Sequence, residues 1–162
     1  MQIRPATEAD IPLLRDLAQR IWRECYPGII TPEQIEFMLG WMYSEEEIRR
    51  QLAAKIPWEV AELDGVPVGY HSWQREDDGR VKISKLYVLP QHQRRGFGRR
   101  MLEHICEHAR TIGAHAVWLQ VNKRNERAIA AYLKAGFHIE KEAVFDIGGG
   151  FVMDDYLMAR AV

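Results

Sequence analysis

The decapeptide QHQRRGFGRR, residues 91–100, places four arginines and two glycines directly after the apolar run LYVLP. Gly96 and Gly98 carry no Cβ, so their backbone N–H groups can come close to a ligand. They sit where a helix begins, and the unpaired N–H groups and dipole of a helix start favour anions. Arg94, Arg95 and Arg99 add charge and bidentate donors suited to phosphate, while Arg100 reads as a solvated face residue. The pattern is neither G-x-x-x-x-G-K-[ST] nor a complete dinucleotide fingerprint, because the third glycine is missing.

Overall charge narrows the anion. Lys and Arg total 22 against 23 Asp and Glu, for a net charge of −1. A nucleic-acid binder carries a clear basic excess, so the basic knot suits a small anionic ligand better than a polyanion. Cys25 and Cys106 fit no metal spacing and read as reduced thiols. None of His92, His104, His108, His115 and His138 has metal-ligand spacing, so no metal is expected. The start MQIRPATEADIP lacks the apolar core of a secretory leader, and no apolar run approaches bilayer-spanning length. A cytoplasmic protein that engages no membrane is the expectation.

The elements around the knot follow from pattern. MQIRPA reads as a strand, and Thr7 with Asp10 makes a capping-box-like helix start. Ile11, Leu14, Leu17, Ala18 and Ile21 then recur at helical spacing. Pro27, Gly28 and Pro32 break that helix, and PEQIEFMLGWM and SEEEIRRQLAAK follow as amphipathic pieces, the second capped by Ser44. PWEVAEL, VPVGYHSWQ and RVKISKLYVL read as an antiparallel meander, divided by the turns DG at 64–65 and EDDGR at 76–80. Beyond the knot come a helix closed by Gly113, the strand HAVWLQV, the helix NERAIAAYLKAG, and two strands around GGG. With 162 residues, the chain is expected to form a single domain over 1–162 with a mixed α+β fold.

Two segments carry a family resemblance. VLPQHQRRGFG, from Val88 to Gly98, resembles motif A of the GNAT-type N-acetyltransferases, Q/R-x-x-G-x-G/A after a V-x-P strand end. NERAIAAYLKAGF, from Asn125 to Phe137, resembles that family's motif B, N-x-x-A-x-x-x-Y-x-x-x-G-F. The resemblance implies a twisted, mostly antiparallel sheet of about seven strands flanked by about four to five helices, with two splayed strands opening a cleft for coenzyme A. It implies transfer of acetyl from acetyl-CoA to an amine. Gln93, Arg94, Arg95, Gly96, Phe97, Gly98 and Arg99 would then hold the pyrophosphate. Leu86, Tyr87 and Val88 would lie along the pantetheine arm, and Asn125 would contact it. Tyr132 would protonate the departing thiolate, and the Val88 N–H would polarise the thioester carbonyl. Read alone, Tyr132 is an ordinary core tyrosine and Asn125 an ordinary helix cap.

A base and an acceptor complete such a site. Relatives place a glutamate on the strand before the knot, but this chain has Lys82 and Lys85 there. Histidine is the side chain suited by type to base work near neutral pH, which makes His71 the tentative base, with Glu24 and Asp155 as candidates acting through water. A lone strand histidine is more often structural. Trp22, Tyr26 and Trp41, together with Glu24, Asp154 and Asp155, suit a cationic amine. FDIGGGFVMDDYLMAR and MYSEEEI carry a weaker resemblance to the polyamine-acetylating branch, the spermidine and spermine acetyltransferases. The expectation is an enzyme acting on a small amine or polyamine, with a homodimer common among lookalikes. The alternatives are a protein or peptide N-terminal acetyltransferase, favoured by a shallow open cleft, and a non-catalytic CoA-binding module, which Tyr132 argues against.

Overall fold

A computed structural model describes residues 1–162. Seven strands are present: β1 (Gln2–Pro5), β2 (Trp58–Leu63), β3 (Val66–Arg75), β4 (Arg80–Val88), β5 (Ala116–Asn122), β6 (His138–Gly148) and β7 (Phe151–Ala161). Five helices join them: α1 (Ile11–Cys25), α2 (Pro32–Met42), α3 (Glu45–Ala53), α4 (Phe97–Thr111) and α5 (Glu126–Lys134). The strands form one sheet in the order β1-β2-β3-β4-β5-β7-β6. This is the mixed α+β architecture expected from the element order.

The backbone falls into two compact units. One comprises Met1–Trp73 with Lys85–Leu102, and the other Gln74–Ser84 with Glu103–Val162. In the first, the Thr7 N–H donates to Asp10 Oδ2 at 2.9 Å, completing the predicted capping box around a short 3-10 turn before α1. Arg4 grips the same carboxylate with two nitrogens, each at 2.9 Å. The side chains of Thr31 and Ser44 accept the Gln34 and Glu47 N–H groups and so start α2 and α3. Each such cap satisfies a donor that the helix leaves open. Ile11, Leu14, Leu17, Ala18, Ile21 and Trp22 form the buried stripe of α1.

The β2–β3 hairpin turns at Asp64 and Gly65, both at positive φ (52° and 78°), as an Asp-Gly turn of this type requires. Its register then slips. Leu63 pairs with Val66 and Glu62 with Pro67, but Ala61 pairs with Gly69, leaving Val68 as an extra residue on β3. The bulge therefore sets Glu59 opposite His71, where an unbroken register would have set it opposite Tyr70. At the bulge β3 and β4 come very close. A Cβ on Gly69 would overlap the Tyr87 carbonyl oxygen and lie 3.2 Å from Val88 Cα. The carbonyl of Val68 accepts the Leu89 N–H at 2.8 Å.

In the second unit β4 runs parallel to β5 from Arg80↔Ala116 to Ile83↔Leu119, while β5 and β6 flank β7 antiparallel. Arg160 on β7 reaches Glu103 of α4 at 2.8 Å and the Ala135 carbonyl after α5 at 3.1 Å. Both helices therefore cover the β7 face that carries Arg160 and Met158. Strand alternation sends Asp155, Leu157 and Ala159 to the opposite face.

The close approach at Gly69 yields a stability test. Gly69→Ala should destabilise the protein by about 1–3 kcal/mol, the usual cost of overpacking. That lowers the melting midpoint by ~2–4 °C per kcal/mol for a chain of this length. An unchanged midpoint would mean that β3 and β4 can part without cost.

Candidate active site

The knot predicted from sequence is a turn wound onto the start of α4. Arg94 and Gly96 both adopt positive φ, 61° and 82°, a geometry that is natural for glycine and uncommon for arginine. The Arg100 N–H bonds back to the Gly96 carbonyl at 3.1 Å, so Gly96 caps α4. The N–H groups of Phe97, Gly98 and Arg99 thus form the first helical turn, which has no intrahelical acceptor. The space where a Gly96 side chain would stand is open, with nothing within 4 Å. Arg94, Arg95 and Arg99 are exposed around this turn, and Arg95 stacks over the Phe97 ring at 5.1 Å. Phe97 itself is buried with Val88, Ala61, Val68 and Met101, which ties the turn to the sheet. Donors, open space and surrounding cations fit a pyrophosphate.

Gln93 has a different visible role from the one assigned by resemblance. Its Nε2 donates to the Val88 carbonyl at 2.9 Å and lies 3.5 Å from Cys25 Sγ. The side chain braces the end of β4 against α1. Both cysteines are free.

The aromatic candidates sort themselves by contact. Trp22 lies 4.5 Å from Tyr26 and 5.7 Å from Tyr87 between ring centroids, and the Tyr26 and Tyr87 hydroxyls are 3.1 Å apart. Below them, Tyr70 donates to the Tyr43 hydroxyl at 2.7 Å, and burial pushes both phenols well above their ordinary pKa. Lys85, almost fully buried, stands 4.6 Å above the Trp58 ring. A lysine within an apolar strand gave no sequence signal of that position. Trp41, half exposed, packs on Phe37.

The two tentative bases lie away from this cluster. Glu24 is exposed on α1, two residues from both Trp22 and Tyr26, and a helix turns such neighbours to opposite sides. His71 is completely buried, with Nε2 2.6 Å from Glu59 Oε2; Trp73 Nε1 donates to the same oxygen at 3.2 Å. Since Trp58 and Tyr70 alternate with Glu59 and His71 along the hairpin, His71 occupies the sheet face opposite the aromatic cluster. Sequence reading overlooked Glu59, because only the bulge brings it level with His71.

In the second unit, Asn125 caps α5 by accepting the Ala128 N–H at 3.3 Å. Tyr132, half-buried, rests against Phe137 with centroids 5.9 Å apart. Asp155 has no solvent exposure, and neither carboxylate oxygen has a hydrogen-bond partner. Burial, with a smaller push from Asp154, raises its pKa from 3.8 to about 6 despite Lys123 and Lys82.

These features sit in a chain whose relatives are recognisable. The Acetyltransferase (GNAT) family model matches residues 14–137, and the chain belongs to that family. It is an N-acetyltransferase. An uncharacterized N-acetyltransferase of Mycobacterium tuberculosis is 33% identical over 155 residues, covering 95% of this chain and 97% of the relative. Among solved structures, the PaiA N-acetyltransferase of Thermoplasma acidophilum in complex with coenzyme A superposes with a TM-score of 0.86 at 22% identity, covering 99% of this chain and 98% of that one. A spermidine N-acetyltransferase chimera from Vibrio cholerae gives 0.74 at 18% identity, covering 99% and 94%. At those identities the last two establish the fold.

The buried carboxylate makes a pH prediction. A group whose folded pKa is raised contributes stability below its unfolded pKa, here near 3.8, and loses it as pH rises through about 6. Asp155→Asn should therefore raise the melting midpoint at pH 8, by a stabilisation of about 3 kcal/mol at 1.36 kcal/mol per pKa unit. The gain should shrink as pH falls from 6 toward 4. A variant melting lower than wild type at pH 8 would show that the carboxylate has a structural partner.

Proposed function

We propose that the protein transfers acetyl from acetyl-CoA to the primary amine of a small acceptor, a diamine or polyamine in preference to a peptide N-terminus. The observation that carries the reading is the turn at Arg94–Gly96, which aims the first-turn N–H groups of α4 into open space among exposed arginines. Its backbone and Arg94, Arg95 and Arg99 would hold the pyrophosphate. Leu86, Tyr87 and Val88 would line the acyl arm, and Asn125 would contact it.

The acceptor nitrogen, once neutral, attacks the thioester carbonyl carbon. The Val88 N–H stabilises the oxyanion that forms. As that intermediate collapses the C–S bond breaks, the amide remains, and the sulfur takes the proton of the Tyr132 hydroxyl. The attacking nitrogen sheds its proton to solvent, and Tyr132 is reprotonated from there. Trp22 and Tyr26, beside Tyr87, form the aromatic surface against which an acceptor chain would lie. The support for a cationic acceptor is electrostatic: Asp155 is a buried carboxylate without a bound donor.

Release of free thiol from acetyl-CoA, followed with polyamines, monoamines, amino acids and peptides, tests the reading. Turnover is expected with the polyamines, and turnover confined to peptides would replace this acceptor class with the other. Tyr132→Phe should lower kcat by on the order of 100-fold, as loss of a general acid does, with the dissociation constant for acetyl-CoA nearly unchanged. Undiminished kcat would remove Tyr132 from the chemistry.

A further inference from the structure

The β7 face turned away from α4 and α5 holds an electrostatic imbalance. Asp155 is fully buried there and neither oxygen accepts a hydrogen bond. Leaving a carboxylate so is costly, and native proteins reserve such groups for function or for a missing partner. The surrounding charges are committed elsewhere. Lys123 is held by Asp154 at 3.0 Å and Glu142 at 3.4 Å. Lys82 stands over the Trp118 ring, 4.9 Å from its centroid. The Trp118 indole N–H donates to Glu76 at 2.7 Å, and Oδ1 of Asn122, directly across from Asp155, accepts the Arg124 N–H. The face is mixed: Trp118, Leu157 and Ala159, with Ala143 and Phe145 packed against them, make an apolar strip, Gln120 and Asn122 stand across from Leu157 and Asp155, and Arg80 lies 5.2 Å over the Trp118 ring. An unpartnered carboxylate beside an apolar strip complements an alkyl chain that ends in an ammonium.

We propose that Asp155 is the specificity-determining residue of the acceptor site, holding the second, non-reacting ammonium of a diamine or polyamine while the apolar strip receives its methylenes. This deepens, and rests on, the amine-acceptor reading above. Protonation should switch the subsite off: Asp155 loses its charge as pH falls through about 6, with Lys82, Lys123 and Asp154 as the charged groups that act on it, and Lys141 further along the same face.

The test compares putrescine and spermidine with butylamine, a monoamine of matched chain length. Wild type should favour the diamine in kcat/KM. Asp155→Asn should raise the putrescine KM by on the order of 100-fold, the loss expected when one partner of a buried charge pair is removed, and bring the putrescine-to-butylamine ratio toward one. Asp155→Glu should restore part of that preference. Putrescine KM should rise below pH 6 in wild type and stay flat there in Asp155→Asn. A purely structural role would move none of these ratios. An Asn variant that keeps the diamine preference, or loses kcat equally for both amines, would overturn the assignment. A binding readout separates this claim from the one beneath it. Putrescine should raise the melting midpoint of wild type and not of Asp155→Asn, whether or not acetyl transfer occurs. If putrescine shifts only wild type but no amine releases thiol, the acetylation reading fails and the subsite stands. If thiol is released and putrescine shifts both proteins alike, the subsite fails and acetylation stands.

Discussion

The last peptide units of β4 are pinned from several sides at once, and the rest of the candidate site depends on them. Gly69 lets β3 press against the Tyr87 carbonyl with no side chain between. The Leu89 N–H is fixed to the Val68 carbonyl and the Val88 carbonyl to the Gln93 amide. Phe97 closes the clamp by burying itself against Val88. A backbone pinned in this way keeps its dipoles in place without reorganisation, which is the condition for useful electrostatic stabilisation of a developing charge. The same pins fix where the chain leaves the strand, and so where the positive-φ turn and the first turn of α4 must lie.

The bulge on β3 links this clamp to the hairpin behind it. The extra residue, Val68, is the one whose carbonyl takes the Leu89 N–H. It also shifts the register that sets Glu59 level with His71, so the anchoring of Leu89 and the pairing of Glu59 with His71 have one origin. Pro67 has no N–H to give to a ladder, which suits it to the disrupted position.

Some of this could be read from residues alone. Gly96 and Gly98 after a strand and before an amphipathic stripe specify a helix start that can accept an anion, because backbone geometry there is local. The caps at Thr7, Ser44 and Asn125 are local in the same sense, as is the Asp64–Gly65 turn. Glu59 was missed because a one-residue slip in register cannot be seen in a strand pattern. The burial of Lys85 and of Asp155 depends on what packs across from them, and strand alternation does not contain that information. His71 and Glu24 looked suitable as bases by residue type, yet one faces away from the aromatic cluster and the other lies exposed on α1. Trp41 shared its composition with Trp22 but not its burial.

The central claim is that the turn after β4 holds the pyrophosphate of coenzyme A. Calorimetric titration of the protein with acetyl-CoA and with acetyl-pantetheine, which shares the thioester arm but lacks the pyrophosphate, tests it most directly. Saturable binding of acetyl-CoA, weakening as salt is raised, with affinity at least tenfold lower for acetyl-pantetheine, is the predicted result. Equal affinity for the two compounds, or no heat from acetyl-CoA at all, would contradict it.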